Sequence, residues 1–419
     1  MFASYGVVLR SPRAARVFGA ALLGRLSYGT AGLSLTLTFV QATGSYARAG
    51  AMVALFGGAS CLLAPWRAGL VDRFGPRAAL RPMAVLYGLG LIGLAVAAHL
   101  GSTPVAGVVA VAAGACTPPL GPVMRALWVE LVPDRDLLQR AYSLDTVAEQ
   151  IIFTVGPLLA GLFAVLSSAT VGLLVSAGLV IAGTFGLTTV RNTISRPAGE
   201  AESRDGAESD EGGSQVSAPG AWSVFGRLWP MLLAMAALGA AESGLALLNV
   251  AFAGAGGAAW AEAAMSVAGV LGGLVYGAVT WRMAPGTRLP LLAVPIALAL
   301  AAAGLAPGVP ALIAIVAVFG LFIAPTLTTG YLVAENAAPP QRRTAVSSWV
   351  NTAFNTGSSL GAAGVGVLTD LAPLSLCFAF AALPVLLSSG VTLAGTRLAS
   401  GRAADQELES AAEDALAVR

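Results

Sequence analysis

Five ionisable residues, Arg25, Arg125, Asp145, Glu149 and Glu242, interrupt long apolar runs. A charge in hydrocarbon is costly unless it meets a counter-charge or water, so residues of this kind form ion pairs, bind a polar solute or exchange protons. Asn351 and Asn355 are four apart on one helix face and add a second polar candidate group. Gly156-Pro157, with Gly161 beyond, is a combination that kinks a helix and lets a neighbour approach closely. Catalytic chemistry is poorly supplied. His99 is the only histidine and falls at the end of an apolar run, which leaves no material for a Ser-His-Asp triad or a histidine metal site. Cys61, Cys116 and Cys377 lack ligand spacing and read as small buried hydrophobes, so no metal, cofactor or enzyme activity is expected.

The elements that must position these residues follow from composition. The chain has 419 residues, 57% of them hydrophobic and 11% charged, with a mean hydropathy of +0.80. This profile is that of an integral membrane protein, and its apolar runs are too long for barrel strands, which leaves helices. Twelve spans are expected, at 17–41, 49–68, 82–99, 104–128, 141–165, 168–190, 228–253, 259–280, 289–307, 310–334, 345–369 and 373–395. The fold class is all-α with two six-helix bundles, 1–190 and 228–396. Between them lies an acidic, Ser/Gly-rich stretch, 191–227, read as a disordered cytoplasmic linker, and a cytoplasmic tail covers 397–419. No cleavable signal is expected, because the run that follows Arg10, Arg13 and Arg16 is too long for one.

Arginine placement sets the orientation. By these boundaries only Arg48 falls in an outward loop, so both termini are expected in the cytoplasm and the protein in the cell inner (plasma) membrane. At about 1.5 Å rise per residue, Arg25 and Glu149 both fall roughly 13 Å from the cytoplasmic boundary, and Arg125 and Asp145 roughly 5 to 8 Å from it. Matching depths predict two pairs, Arg25 with Glu149 and Arg125 with Asp145, acting either as polar clamps or as part of a substrate or proton site. Glu242 has no arginine at its depth, which makes it either a proton-coupling site or a group hydrogen-bonded near Ser243 or Asn249.

The two halves echo each other. Glu130 and Gly156 are as far apart as Glu335 and Gly361, and Gly156 and Gly161 as far as Gly361 and Gly366. This points to a duplicated six-helix unit, alongside the ordinary recurrence of small residues in membrane helices.

The segment Ala68-Gly69-Leu70-Val71-Asp72-Arg73-Phe74-Gly75-Pro76-Arg77-Ala78-Ala79-Leu80, between spans two and three, resembles the signature G-x-L-a-D-R-x-G-R-K-x-x-L of the major facilitator superfamily. Leu70, Asp72, Arg73, Gly75, Arg77 and Leu80 are in register, whereas Ala68 and Pro76 depart. The resemblance implies a gating motif of Asp72, Arg73, Gly75 and Arg77, its acid facing the start of span eleven near Ala345 to Ser347 and closing the cytoplasmic side. Gly156-Pro157-Leu158-Leu159-Ala160-Gly161 is similar to the end of the span-five motif of the family's antiporters, with Ile152 where a glycine is usual. The arginine that the family's drug/proton antiporters carry in the middle of span four is absent from 108–115.

Together these features predict a secondary transporter that works by alternating access and exports a small amphipathic organic compound, a drug (multidrug in range) or a secondary metabolite, by proton antiport. An importer of a small metabolite and a non-transporting membrane sensor are the alternatives. The chain lacks a phosphate-binding glycine loop, which argues against ATP drive. The expected partners are a small-molecule substrate, the lipid bilayer and the proton, with no nucleic acid and the protein acting as a monomer.

Overall fold

The computed structural model describes residues 6–9, 12–132, 134–189 and 221–394, all of them helix or short connections. The expected tail, and the expected linker as far as residue 220, lie outside the described residues. The long helices are α1 (Pro12–Thr43), α2 (Tyr46–Leu62), α3 (Ala64–Phe74), α4 (Pro76–His99), α5 (Thr103–Ala115), α6 (Leu120–Leu131), α7 (Arg135–Leu166) and α8 (Ala169–Thr189). They continue with α9 (Ala221–Ala278), α10 (Pro285–Ala303), α11 (Val309–Ala337) and α12 (Arg343–Leu371), and end with α13 (Leu374–Ala394).

Breaks occur where the sequence supplies breakers. Gly75, at φ 82°, ends α3, and Pro76 opens α4. Gly254, at φ 65°, bends α9 into two arms, Leu228–Gly254 and Gly256–Ala278. The expected single span 104–128 is interrupted at Cys116–Pro119. Pro118 and Pro119 donate no backbone hydrogen bond, which accounts for the interruption.

Among the described residues nine helices are long and apolar enough to cross a membrane, or ten if Arg48–Leu62 and Ala64–Phe74, bent by 45°, form one span. The expected twelve exceed this because α1 and α12, although long, carry Arg25, Asn351, Asn355 and many Ser and Thr residues. Leu158, Val165, Leu360 and Leu387 are exposed, as lipid-facing side chains are.

The chain forms two compact units. The first is drawn from Met1–Val224, Gly269–Thr280 and Ala334–Thr352, the second from Phe225–Ala268, Trp281–Val333 and Ala353–Arg419. In the first unit α1 packs along α8 and α7. A Cβ on Gly156 would collide with the backbone of Gly29, so α7 and α1 cross at bare backbone. In the second, a Cβ on Gly361 would collide with Ala240, so α12 meets α9 in the same way. Gly156 and Gly361 are the equivalent glycines of the two sequence halves. Each therefore marks the crossing of the fifth helix of its half with the first.

Gly156→Leu is expected to lower thermal stability in detergent by an amount corresponding to about 1–3 kcal/mol of overpacking. Gly161→Ala, where nothing lies within 4 Å of the added Cβ, is expected to leave it unchanged or slightly higher. Equal losses in the two variants would show that the crossing is not set by Gly156.

Candidate functional site

Helices α1, α6 and α7 bring four charged side chains together in the first unit. Asp145, fully buried on α7, takes a two-pronged contact from Arg25 of α1, Nη1 to Oδ1 at 2.8 Å and Nη2 to Oδ2 at 3.1 Å. Nε of Arg125, on α6, lies 3.1 Å from the same Oδ2. The far end of Arg125 pairs with Glu149, one turn further along α7. Two guanidinium groups and two carboxylates leave the cluster neutral, as its burial requires. Gly121 of α6 lies under the guanidinium of Arg25, where a Cβ would stand 3.1 Å from Nη2.

This arrangement corrects the expected pairing of Arg25 with Glu149: Arg25 is held by Asp145, and Glu149 by Arg125. Depth was reckoned from backbone rise alone, and it omitted the several-ångström reach of an arginine stem. Asp145 and Glu149 are four apart on one face, so a single arginine reaches both. Arg125 also donates Nη1 to Oδ1 of Asn351 on α12, at 3.4 Å, and its carbonyl accepts from the hydroxyl of Tyr142, at 3.2 Å. Asn355 is exposed and does not join the cluster.

The gating segment lies in the same unit. Asp72, near the end of α3, accepts the backbone N–H groups of Thr344, at 3.3 Å, and Ala345, at 2.9 Å. These donors are in the first turn of α12, where N–H groups lack helical partners and the helix dipole favours an anion. Arg73 and Arg77 are exposed, and Arg73 lies 5.1 Å from the ring of Phe74. Nearby, Ser143 of α7 donates to the carbonyl of Gly273, and Gln139 to those of Tyr276, at 3.3 Å, and Val279, at 3.0 Å. Glu335 and Arg343 form an ion pair at 2.9 Å.

Arg67 was not a candidate in the sequence reading. Only 3% exposed, it projects from α3 to the carbonyls of Gly114 and Ala115 at the end of α5, and to that of Ser60. A neighbouring helix thus delivers a guanidinium to the middle of the fourth span, where 108–115 carries none. Tyr28 closes the far side of that break by donating to the carbonyl of Pro118, at 2.5 Å. Elsewhere in the helices, Thr36, Thr326 and Thr329 bond carbonyls four residues back on their own helices, a structural use. The cysteines are free, Cys377 buried and Cys61 and Cys116 partly so.

In the second unit Asn249 donates to Glu262, at 3.3 Å, across the two arms of α9. Glu242 is an electrostatic neighbour of Glu262. Glu262 lies near the start of the expected span 259–280, and only the bend of α9 brings it to Asn249. Ser243 bonds Ser358, at 2.8 Å, rather than Glu242.

Residues 17–301 match the family model of the Major Facilitator Superfamily. The chain belongs to the major facilitator superfamily. Among solved structures, this superfamily member resembles a bacterial homologue of the iron transporter ferroportin in an outward-facing state. The TM-score is 0.72 at 12% identity, covering 91% of this chain and 99% of the other. It also resembles the human organic anion transporter MFSD10, with TM-score 0.66 at 14% identity, covering 90% and 98%. The E. coli fucose:proton symporter gives TM-score 0.66 at 16% identity, covering 93% and 99%. At these identities the likeness is one of fold. No curated protein matches the chain significantly.

Because Asp145 is shared by both arginines, Asp145→Asn is expected to cost about 3–5 kcal/mol by leaving two buried guanidinium groups facing one carboxylate. Glu149→Gln, at the more accessible end of the cluster, is expected to cost clearly less. Thermal unfolding of the purified variants measures both. Equal losses would remove Asp145 from the centre of the arrangement.

Proposed function

We propose that this superfamily member is a secondary active transporter that exports a small amphipathic organic compound by alternating access and proton antiport. The observation that carries the reading is the Arg25–Asp145–Arg125–Glu149 cluster, three members fully buried and the fourth, Glu149, with 26% of its side chain exposed. A partly exposed carboxylate at the end of a buried network is where a proton can replace a guanidinium as its partner. Loss of that partner would free Arg125, which also holds Asn351 on α12. Asp72 on the first turn of α12 supplies the companion contact, one that must break for the cytoplasmic side to open. The Gly156-Pro157 pair in α7 adds support for export.

The mostly apolar helices suit an amphipathic substrate better than a sugar or organic phosphate, which needs dense hydrogen bonding or clustered basic groups. The alternative is a proton-coupled importer on the same fold, favoured by the likeness to the fucose:proton symporter.

The test is accumulation of dyes and antibiotics in a deletion strain and its complemented counterpart. Export predicts lower accumulation on complementation, abolished by a protonophore. An importer predicts higher accumulation, collapsed by a protonophore. In proteoliposomes, Glu149→Gln is expected to lose transport driven by a pH gradient while retaining substrate binding. Asp72→Asn is expected to reduce turnover at wild-type expression. Undiminished pH-driven transport by Glu149→Gln would remove it as the coupling group.

A further inference from the structure

The two arms of α9 bring Asn249 and Glu262 into contact within the second unit, with Glu242 an electrostatic neighbour of Glu262, and the buried polar atom left open there is an acceptor. Asn249 is completely buried; its Nδ2 donates to Oε1 of Glu262 at 3.3 Å, while its Oδ1 has no hydrogen-bond partner among the described residues. Turning the amide over would set oxygen against carboxylate, so the open atom is the acceptor. Among the described residues neither Glu242 nor Glu262 has an ion pair. Both are partly accessible, and ionisable groups in a span face the bundle interior or water rather than lipid. A buried acceptor left open beside two carboxyls without a cation points to a ligand that brings both charge and N–H donors.

Chemistry narrows the class. A hard inorganic cation takes about six oxygen ligands at about 2.0–2.6 Å, and among the described residues no group of three or more acidic, histidine or cysteine side chains is placed to hold one. A primary ammonium offers three donors to Oδ1 of Asn249 and the carboxylate of Glu262, and leaves Glu242 as a second counter-charge.

We propose that Glu262 and Asn249, with Glu242 beside them, form the subsite for the ammonium group of an amphipathic organic cation. This rests on the transport reading and names its substrate class.

The test is calorimetric binding to the purified full-length protein in detergent. Three probes share one phenylbutyl body: 4-phenylbutylammonium, its trimethylammonium analogue and neutral 4-phenylbutanol. The ammonium is expected to bind about ten-fold tighter than the alcohol, and the trimethylammonium, which has charge but no N–H donors, to lose most of that advantage. Asn249→Leu and Glu262→Gln, each checked for wild-type melting, are expected to erase the preference and leave alcohol binding unchanged. Should Glu262→Gln fail to fold, Glu262→Asp is expected to weaken ammonium binding alone. Equal affinity for ammonium and alcohol, wild-type ammonium affinity in the folded variants, or absence of ammonium binding would each overturn the proposal. Displacement of the ammonium by Mn²⁺ would overturn it in favour of a divalent-cation site.

Export of the dye and antibiotic panel is read separately. Selective ammonium binding without export of any compound refutes the transport reading alone. Export without ammonium selectivity refutes the subsite alone.

Discussion

Asp145 neutralises two buried arginines, and the inner arrangement of the first unit depends on that. An uncompensated guanidinium in hydrocarbon is expensive, so Arg25 and Arg125 hold their positions only while their carboxylates do. Arg25 is on α1, Arg125 on α6 and the two acids on α7, so charge neutrality ties three helices at one point. Apolar packing in lipid lacks such direction, because lipid tails are as good a partner for leucine as another helix is. The close crossing of Gly156 and Gly29 then brings α7 and α1 near enough for the side chains to meet. Packing sets the distance between the helices, and charge sets their register.

The same economy governs the helix ends. Asp72 needs no arginine, because the first turn of α12 presents unpaired N–H groups and the positive end of a dipole. Such a contact is directional, yet it breaks without leaving a buried charge alone, because Asp72 is only partly buried. That separates it from the Asp145 cluster, whose rupture would strand charge inside. Asp72 and Asp145 thus differ in what their release would cost, although they are the same residue type, and burial is what separates them. Arg67 is a third case, a cation held by carbonyls freed where α5 ends. It stabilises a break that Pro118 and Pro119 impose.

How much of this was legible follows from which signals are local. Membrane class, helices, the Gly254 bend and the register of the Asp72 segment are written in composition and short-range pattern. The candidate charges were also visible, because an ionisable residue in an apolar run stands out whatever its partner. Partner choice was not, since it depends on side-chain reach and helix rotation: depth alone paired Arg25 with Glu149, and the long arginine stem went to Asp145. Arg67 is hidden by position, at the last turn of an expected span where an arginine needs no partner to be explained. Glu262 was hidden because only the fold of α9 back on itself brings it to Asn249. The polarity of α1 and α12, which lowers the count of apolar spans, comes from the residues that make a site possible.

The two units use charge in opposite ways. In the first, two cations and two anions cancel, and any external ion would have to displace an internal partner. Such a site suits exchange, in which a proton competes with a guanidinium for one carboxylate. In the second, Glu242, Glu262 and the open oxygen of Asn249 have no ion-pair partner among the described residues. Such a site suits capture, because it is incomplete until something positive arrives. The two sites thus differ in kind, one holding its counter-charges internally and the other lacking one among the described residues. Placing them on separate elements lets each be tuned by its own helices.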